Sequence, residues 1–162
     1  MKSKLEICVE HFAPHRVEFL VIGGQAAALF GSPIPTYDVD LCYRRTAENL
    51  ERLAKALVEL HPTLRGAPPD LPFILDAKSL ALGSNFMFNT DIGSLDLLGW
   101  VEPFGGYDEL APRAEAHEVS GYRVLSISLD DLIKIKRHIR RDKDQAAVFQ
   151  LEAIKKMREQ PK

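Results

Sequence analysis

Two hydrophobic periods alternate along this chain, and their alternation predicts an α/β domain. Ser3-Lys-Leu-Glu6 has the form of a capping box, in which the Ser3 hydroxyl and the Glu6 carboxylate satisfy reciprocal backbone donors at a helix start. Leu5, Cys8, Val9 and Phe12 then share one helical face, and Pro14 should stop the helix. Val17 to Ile22 is a short, mostly apolar run that reads as a strand ending at a Gly23-Gly24 turn. The alanine-rich stretch Gln25 to Phe30 favours helix, with Gly31 as its C-terminal cap and Ser32-Pro-Ile-Pro35 too broken by proline to extend it. Tyr37 to Tyr43 alternates: as a strand it sends Asp38, Asp40 and Cys42 to one face and Val39 and Leu41 to the other.

Thr46 can cap the next helix, whose stripe of Leu50, Leu53, Ala54, Leu57 and Leu60 opposes Glu51, Arg52, Lys55 and Glu59, with His61-Pro62 closing it. Thr63 to Pro72, rich in proline and glycine, reads as a surface loop. Phe86 to Thr90 and Leu95 to Trp100 read as strands joined through Asp91-Ile-Gly-Ser94, and Glu115 to Val119 with Arg123 to Ile127 as a second pair around Ser120-Gly121. Ser128-Leu-Asp-Asp131 is another capping signal, opening a helix whose stripe Leu129, Leu132 and Ile133 is continued by Lys136 in position but not in chemistry. Asp142-Lys-Asp-Gln145 opens a final helix toward Met157. The expected fold is α/β (α+β), a small mixed sheet with flanking helices and a C-terminal helical segment. Residues 1–162 are read as one domain, with the α/β core over about 1–127 and the helices over 128–162.

Composition narrows the functional classes. With 46% apolar and 27% charged residues the chain is an ordinary folding sequence, and its net charge of -2 excludes coating nucleic acid by bulk charge alone. Two cysteines, Cys8 and Cys42, are too few for a disulfide scaffold, and no early apolar segment marks a leader or a membrane span. A reducing cytoplasm and no membrane partner are therefore expected.

The first chemical candidate is Asp38-Val-Asp40 with Asp96. Alternate side chains on a strand lie roughly 6.5 to 7 Å apart on one face, so two carboxylates can bracket a pair of divalent ions roughly 4 Å apart. Such hard oxygen donors suit Mg2+ or Mn2+. Leu95, Leu97 and Leu98 bury the segment that carries Asp96, where a cation would offset the cost of an ionised side chain. A solvated strand face competes with this reading for the triplet alone, since Asp142-Lys-Asp144 has the same spacing. The strand, Gly23-Gly24 and the following helix add a common use: glycine lets backbone amides approach a triphosphate, and carboxylates hold the ions that bridge the same phosphates.

Val21-Ile-Gly-Gly-Gln-Ala-Ala-Ala28, Thr36-Tyr-Asp-Val-Asp-Leu41 and Leu95-Asp-Leu-Leu98 together resemble the nucleotidyltransferase superfamily of DNA polymerase β, above all its small bacterial and toxin-type members. The likeness extends to Ser128-Leu-Asp-Asp-Leu-Ile-Lys-Ile-Lys136 and Arg141-Asp-Lys-Asp144. It implies a polymerase β-like fold, metal ligation by Asp38, Asp40 and Asp96, and activation of an acceptor hydroxyl with help from Asp96. It also implies nucleotide contacts from Gly23, Gly24, Thr36 and Lys143, and a catalytic place for Lys136. Two positions depart from the pattern: Ile34 stands where many relatives carry a basic residue, and Gly24 where others carry serine.

Lys134, Lys136, Arg137, His138, Arg140, Arg141 and Lys143 form a basic run concealed by the near-neutral total. If the helix packs on its stripe, Lys136 turns inward, where it can neutralise phosphate, while Lys134, Arg137 and Arg141 share an outer face open to RNA or to solvent. Cys8, His11 and His15 have zinc-like spacing, but Pro14 interrupts them, no fourth ligand is evident and Cys8 belongs to the core stripe. Trp100, Phe104 and Tyr107 could stack a base or simply pack.

The leading expectation is Mg2+- or Mn2+-dependent transfer of a nucleoside monophosphate from a nucleoside triphosphate to a hydroxyl on RNA, protein or a small molecule. The alternative is a noncatalytic nucleotide- or RNA-binding module, one component of a toxin-antitoxin pair. An antitoxin or a second copy of the chain could complete so small a cleft.

Overall fold

The structure is a computed structural model that describes residues 1–68, 70–71, 73–139 and 142–160, without the side chains of Asp142 and Lys143. Its strands are β1 (Phe19–Ile22), β2 (Val39–Tyr43), β3 (Thr63–Leu64), β4 (Asn85–Thr90), β5 (Gly93–Leu98), β6 (Glu115–Val119) and β7 (Tyr122–Ser126). They form one seven-stranded mixed sheet in the order β3-β4-β5-β2-β1-β7-β6. β2 with β5 and β1 with β7 are the parallel pairs; the remaining neighbours are antiparallel.

The helices are α1 (Lys4–Phe12), α2 (Gly23–Leu29), α3 (Ala47–Val58), α4 (Ala77–Leu82), α5 (Tyr107–Leu110), α6 (Leu129–Ile139) and α7 (Asp142–Glu159). The capping box of α1 is formed, and its face of Leu5, Cys8, Val9 and Phe12 is buried as the period requires. Thr46 caps α3 by accepting from the Asn49 amide, and Leu50, Leu53 and Leu57 enter the core, each contributing roughly 1.5–3 kcal/mol of apolar burial. Ser128 accepts from the Asp131 amide at 3.1 Å and starts α6.

The structure corrects several boundaries. The Thr63 to Pro72 loop begins as a strand: Thr63 and Leu64 pair with Asn89 and Phe88 at the sheet edge. Strand β5 starts at Gly93 rather than Leu95, because Thr90 pairs directly with Gly93 across a tight turn. The strand expected over Tyr37 to Tyr43 begins at Val39, leaving Asp38 at its threshold. The short helices α4 and α5 have too few turns to display a period, although Asp76 caps α4 through the Ser79 amide at 2.8 Å.

The two C-terminal helices pack as a hairpin. Lys155 pairs with Asp130 at 2.8 Å, Arg137 pairs with Glu152, and Arg158 ties α7 to β6 through Glu115 at 2.7 Å. This hairpin brings Lys136 and Asp144 to the face of the sheet that carries Asp40.

Candidate active site

Strand register gathers the carboxylates. β2 and β5 run parallel with Asp40 directly beside Asp96, flanked by the pairs Val39–Leu95 and Leu41–Leu97. Neighbouring strands lie about 4.8 Å apart, so the two carboxyl groups emerge side by side on one face. The apolar residues on either side of them are buried on the other face. Asp38, exposed, stands just outside the strand on the rim of the same cleft.

The diglycine sits against this group because Ile22, the last residue of β1, pairs with Asp40. Gly23 has φ +64°, a conformation glycine adopts without strain, and a Cβ at this position would run into the Asp40 carboxylate. A Cβ on Gly24 would lie 2.6 Å from Thr36 Oγ1 and 2.9 Å from Thr36 Cβ. The threonine side chain thus fills space that a side chain at position 24 would need. The Thr36 hydroxyl and Gln25 Nε2 both donate to the Asp38 carbonyl, at 3.4 and 3.3 Å, and so hold the rim in place. Helix α2 has seven residues and opens at the diglycine itself, where the sequence predicts a turn before Gln25.

The charges are unevenly balanced. Burial pushes the Asp40 carboxyl up to about 6, and the neighbouring charges of Asp96 and then Asp38 push the same way, while Lys136 opposes them. Lys136 reaches inward from α6 and donates to Asp144 Oδ1 at 3.4 Å, with both side chains largely buried. Asp96 is held by Arg65, whose Nη2 lies 2.8 Å from Asp96 Oδ1 and 2.9 Å from the Phe88 carbonyl.

Gly24, Thr36, Asp38, Asp40 and Lys136 line a single cleft of about 290 Å3 between the sheet, the α2–β2 connection and the C-terminal helices. Asp96 adjoins it through Asp40, and Gly23 abuts the same carboxylate. The side chain of Lys143, and all of Arg140 and Arg141, lie outside the described residues. Ile34 lines the cleft, so that position brings no positive charge. On the outer basic face, Arg137 is engaged by Glu152 rather than left free. Trp100, Phe104 and Tyr107 do not line the cleft: Arg113 lies over Phe104 and Arg44 over Tyr107.

Arg65, which contacts Asp96 without lining the cleft, and Asp144, which lines it, are partners to which the sequence assigns no role. Arg65 sits in a segment without periodicity, and the pairing of β3 with β4, continued by the hydrogen bond of the Arg65 amide to the Met87 carbonyl at 2.8 Å, places it beside Asp96. Asp144 is legible in the sequence as part of the Asp142-Lys-Asp144 triplet and of the Arg141-Asp-Lys-Asp144 segment, without a partner assigned to it.

No protein-family model matches the chain, and no curated protein matches it in sequence. Solved structures do. The lincosamide antibiotic adenylyltransferase LnuA, with lincomycin bound, matches with a TM-score of 0.64 at 15% identity, over 95% of this chain and 98% of that one. A Thermotoga maritima protein assigned to the nucleotidyltransferases matches with a TM-score of 0.56 at 15% identity, over 89% of each chain. The antibiotic-resistance factor ANT(2'')-Ia matches with a TM-score of 0.58 at 13% identity, over 93% of this chain and 83% of that one. The chain has the mixed α/β fold of the nucleotidyltransferases. No helix among the described residues is long and apolar enough to cross a membrane.

Proposed function

We propose that the chain transfers a nucleoside monophosphate from a nucleoside triphosphate to a hydroxyl group, with divalent metal bound by Asp38, Asp40 and Asp96. The observation that carries this reading is the parallel register that sets Asp40 against Asp96 beside the Gly23 backbone, with Asp38 on the same rim. The donor set fits Mg2+ or Mn2+: carboxylate oxygens only, with Asp40 reluctant to ionise without a cation beside it. When bound, such ions supply charge neutralisation at the phosphates.

The residues of the chain divide the remaining work. Gly23 and Gly24 let the triphosphate approach the backbone, Thr36 offers a hydroxyl next to them, and Lys136 faces the same space with its positive charge. Asp96 accepts the proton of the incoming hydroxyl. The new bond joins that oxygen to the α-phosphorus, the bond from the α-phosphorus to the bridging oxygen breaks, and pyrophosphate departs. Two structural neighbours are named for antibiotics, and the match to one of them spans nearly both chains, which favours a small hydroxylated molecule as acceptor over RNA or protein.

The test is incubation with each α-labelled nucleoside triphosphate and Mg2+ against panels of small hydroxylated compounds, RNA and protein, with Asp38→Ala and Asp96→Ala as controls. Metal-dependent labelling of a small molecule, lost in both variants, is expected. Tight nucleotide binding without turnover on any acceptor would instead make the chain a binding module.

A further inference from the structure

Away from the carboxylate cleft, His11, His15 and Glu59 converge. One side-chain ligand atom of each lies within 4.8 Å of the others. They come from the last turn of α1, from the short 3-10 turn Ala13–His15 that follows it, and from the C-terminal end of α3. The sequence argued against a metal here because Pro14 separates the two histidines and Cys8 faces inward. Cys8 is indeed fully buried. Pro14, however, leads the chain into the tight turn rather than away from it, so the imidazole centroids stand 5.5 Å apart. The third donor comes from a distant stretch of sequence.

The histidine nitrogens engage hydrogen-bond acceptors. His11 Nε2 donates to the Ala56 carbonyl at 2.7 Å, with Glu59 Oε1 4.0 Å away, and His15 Nε2 is hydrogen-bonded to Glu59. Both rings are partly buried and Glu59 is half-exposed, so the group is open to solvent on one side and backed by protein on the other. None of the three lines the cleft that holds Asp38 and Asp40.

We propose that His11, His15 and Glu59 form a second metal site, selective for a borderline transition ion such as Zn2+ over Mg2+. Two imidazole nitrogens and one carboxylate oxygen, with water completing the shell, suit Zn2+ or Ni2+; Mg2+ prefers an all-oxygen set and dehydrates reluctantly. Binding exchanges the protons on the two ring nitrogens for the metal and ties the end of α1 to the end of α3. The site is independent of the nucleotidyl-transfer reading.

The experiment is calorimetric titration of the full chain with Zn2+ in the presence of excess Mg2+, which competes for all-oxygen sites. Wild type should bind one Zn2+ that His15→Ala and Glu59→Gln each weaken at least about tenfold, as expected for loss of a ligand, and that Asp38→Ala leaves unchanged. Histidine side-chain NMR of the wild type provides a reading that needs no variant: Zn2+ should shift His11 and His15 while His61, His117 and His138 stay in place. Equal Zn2+ affinity in wild type and both site variants, or unmoved His11 and His15 resonances, would overturn the proposal.

Discussion

Replacing Asp40 with asparagine should make the metal-free protein more stable at neutral pH. The Asp40 carboxyl titrates at about 6 in the folded chain against an ordinary 3.8, chiefly because it is buried and then because Asp96 and Asp38 repel it. A folded-state value above the unfolded one means that the folded chain holds a proton the unfolded chain has already released. The stability from that proton is fully present below about pH 3.8 and is lost as pH rises through about 6. At 1.36 kcal/mol for each pKa unit, the loss above that window is about 3 kcal/mol. Asparagine keeps the shape without the charge but gives up some carboxyl hydrogen bonding, so the net gain should be about 1–3 kcal/mol near neutral pH. For a chain of this size that is a rise of roughly 3–10 °C in Tm. Urea unfolding in EDTA at about pH 7.5 and again at about pH 4 measures it, and the advantage should disappear at the lower value. Added Mg2+ should then stabilise wild type and not the variant. An asparagine variant that is no more stable at neutral pH, or equally favoured at both, would refute the claim that this carboxylate is held at a cost awaiting a cation.

Arg65→Ala removes the partner of a mostly buried Asp96 and should lower metal-free stability by about 1–3 kcal/mol. Thermal melts should also show a larger Mg2+-induced rise in this variant than in wild type, because the ion replaces a lost positive charge. Gly24→Ala forces a methyl group against Thr36 and should cost about 1–3 kcal/mol, with part recovered in the Gly24→Ala/Thr36→Ala double variant; additive losses in a double-mutant cycle would show that the two do not share that space. Lys136→Ala should weaken triphosphate binding about tenfold, equivalent to about 1.4 kcal/mol, with Lys136→Arg intermediate, as measured by nucleotide titration in Mg2+.

The parts of this molecule that the sequence makes legible are those governed by local rules. The capping box at Ser3, the stripe from Leu50 to Leu57 and the inward turn of Lys136 each follow from spacing within a few residues, and each is present in the structure. The adjacency of Asp40 and Asp96 is of another kind, because 55 positions of chain intervene. The compound motif suggested that adjacency, but only the parallel pairing of β2 with β5 produces it. Arg65 and Glu59 had no local signature, since each acquires a partner through a tertiary contact between segments that carry no shared pattern.

The two departures from the nucleotidyltransferase pattern also differ once geometry is considered. At Ile34 the missing positive charge is not made up at that position, and the inward Lys136 across the cleft is the basic side chain that the described residues place there. At Gly24 the space a serine side chain would need is taken by a neighbour. Thr36 Oγ1 stands 2.6 Å from where a Cβ at position 24 would be, so a hydroxyl occupies the same small volume although it comes from the other end of the α2–β2 connection. Serine at 24 together with Thr36 would overfill that volume, and glycine at 24 without Thr36 would leave it empty. The pair is therefore a single device, and substitutions at the two positions should be tolerated together more readily than separately.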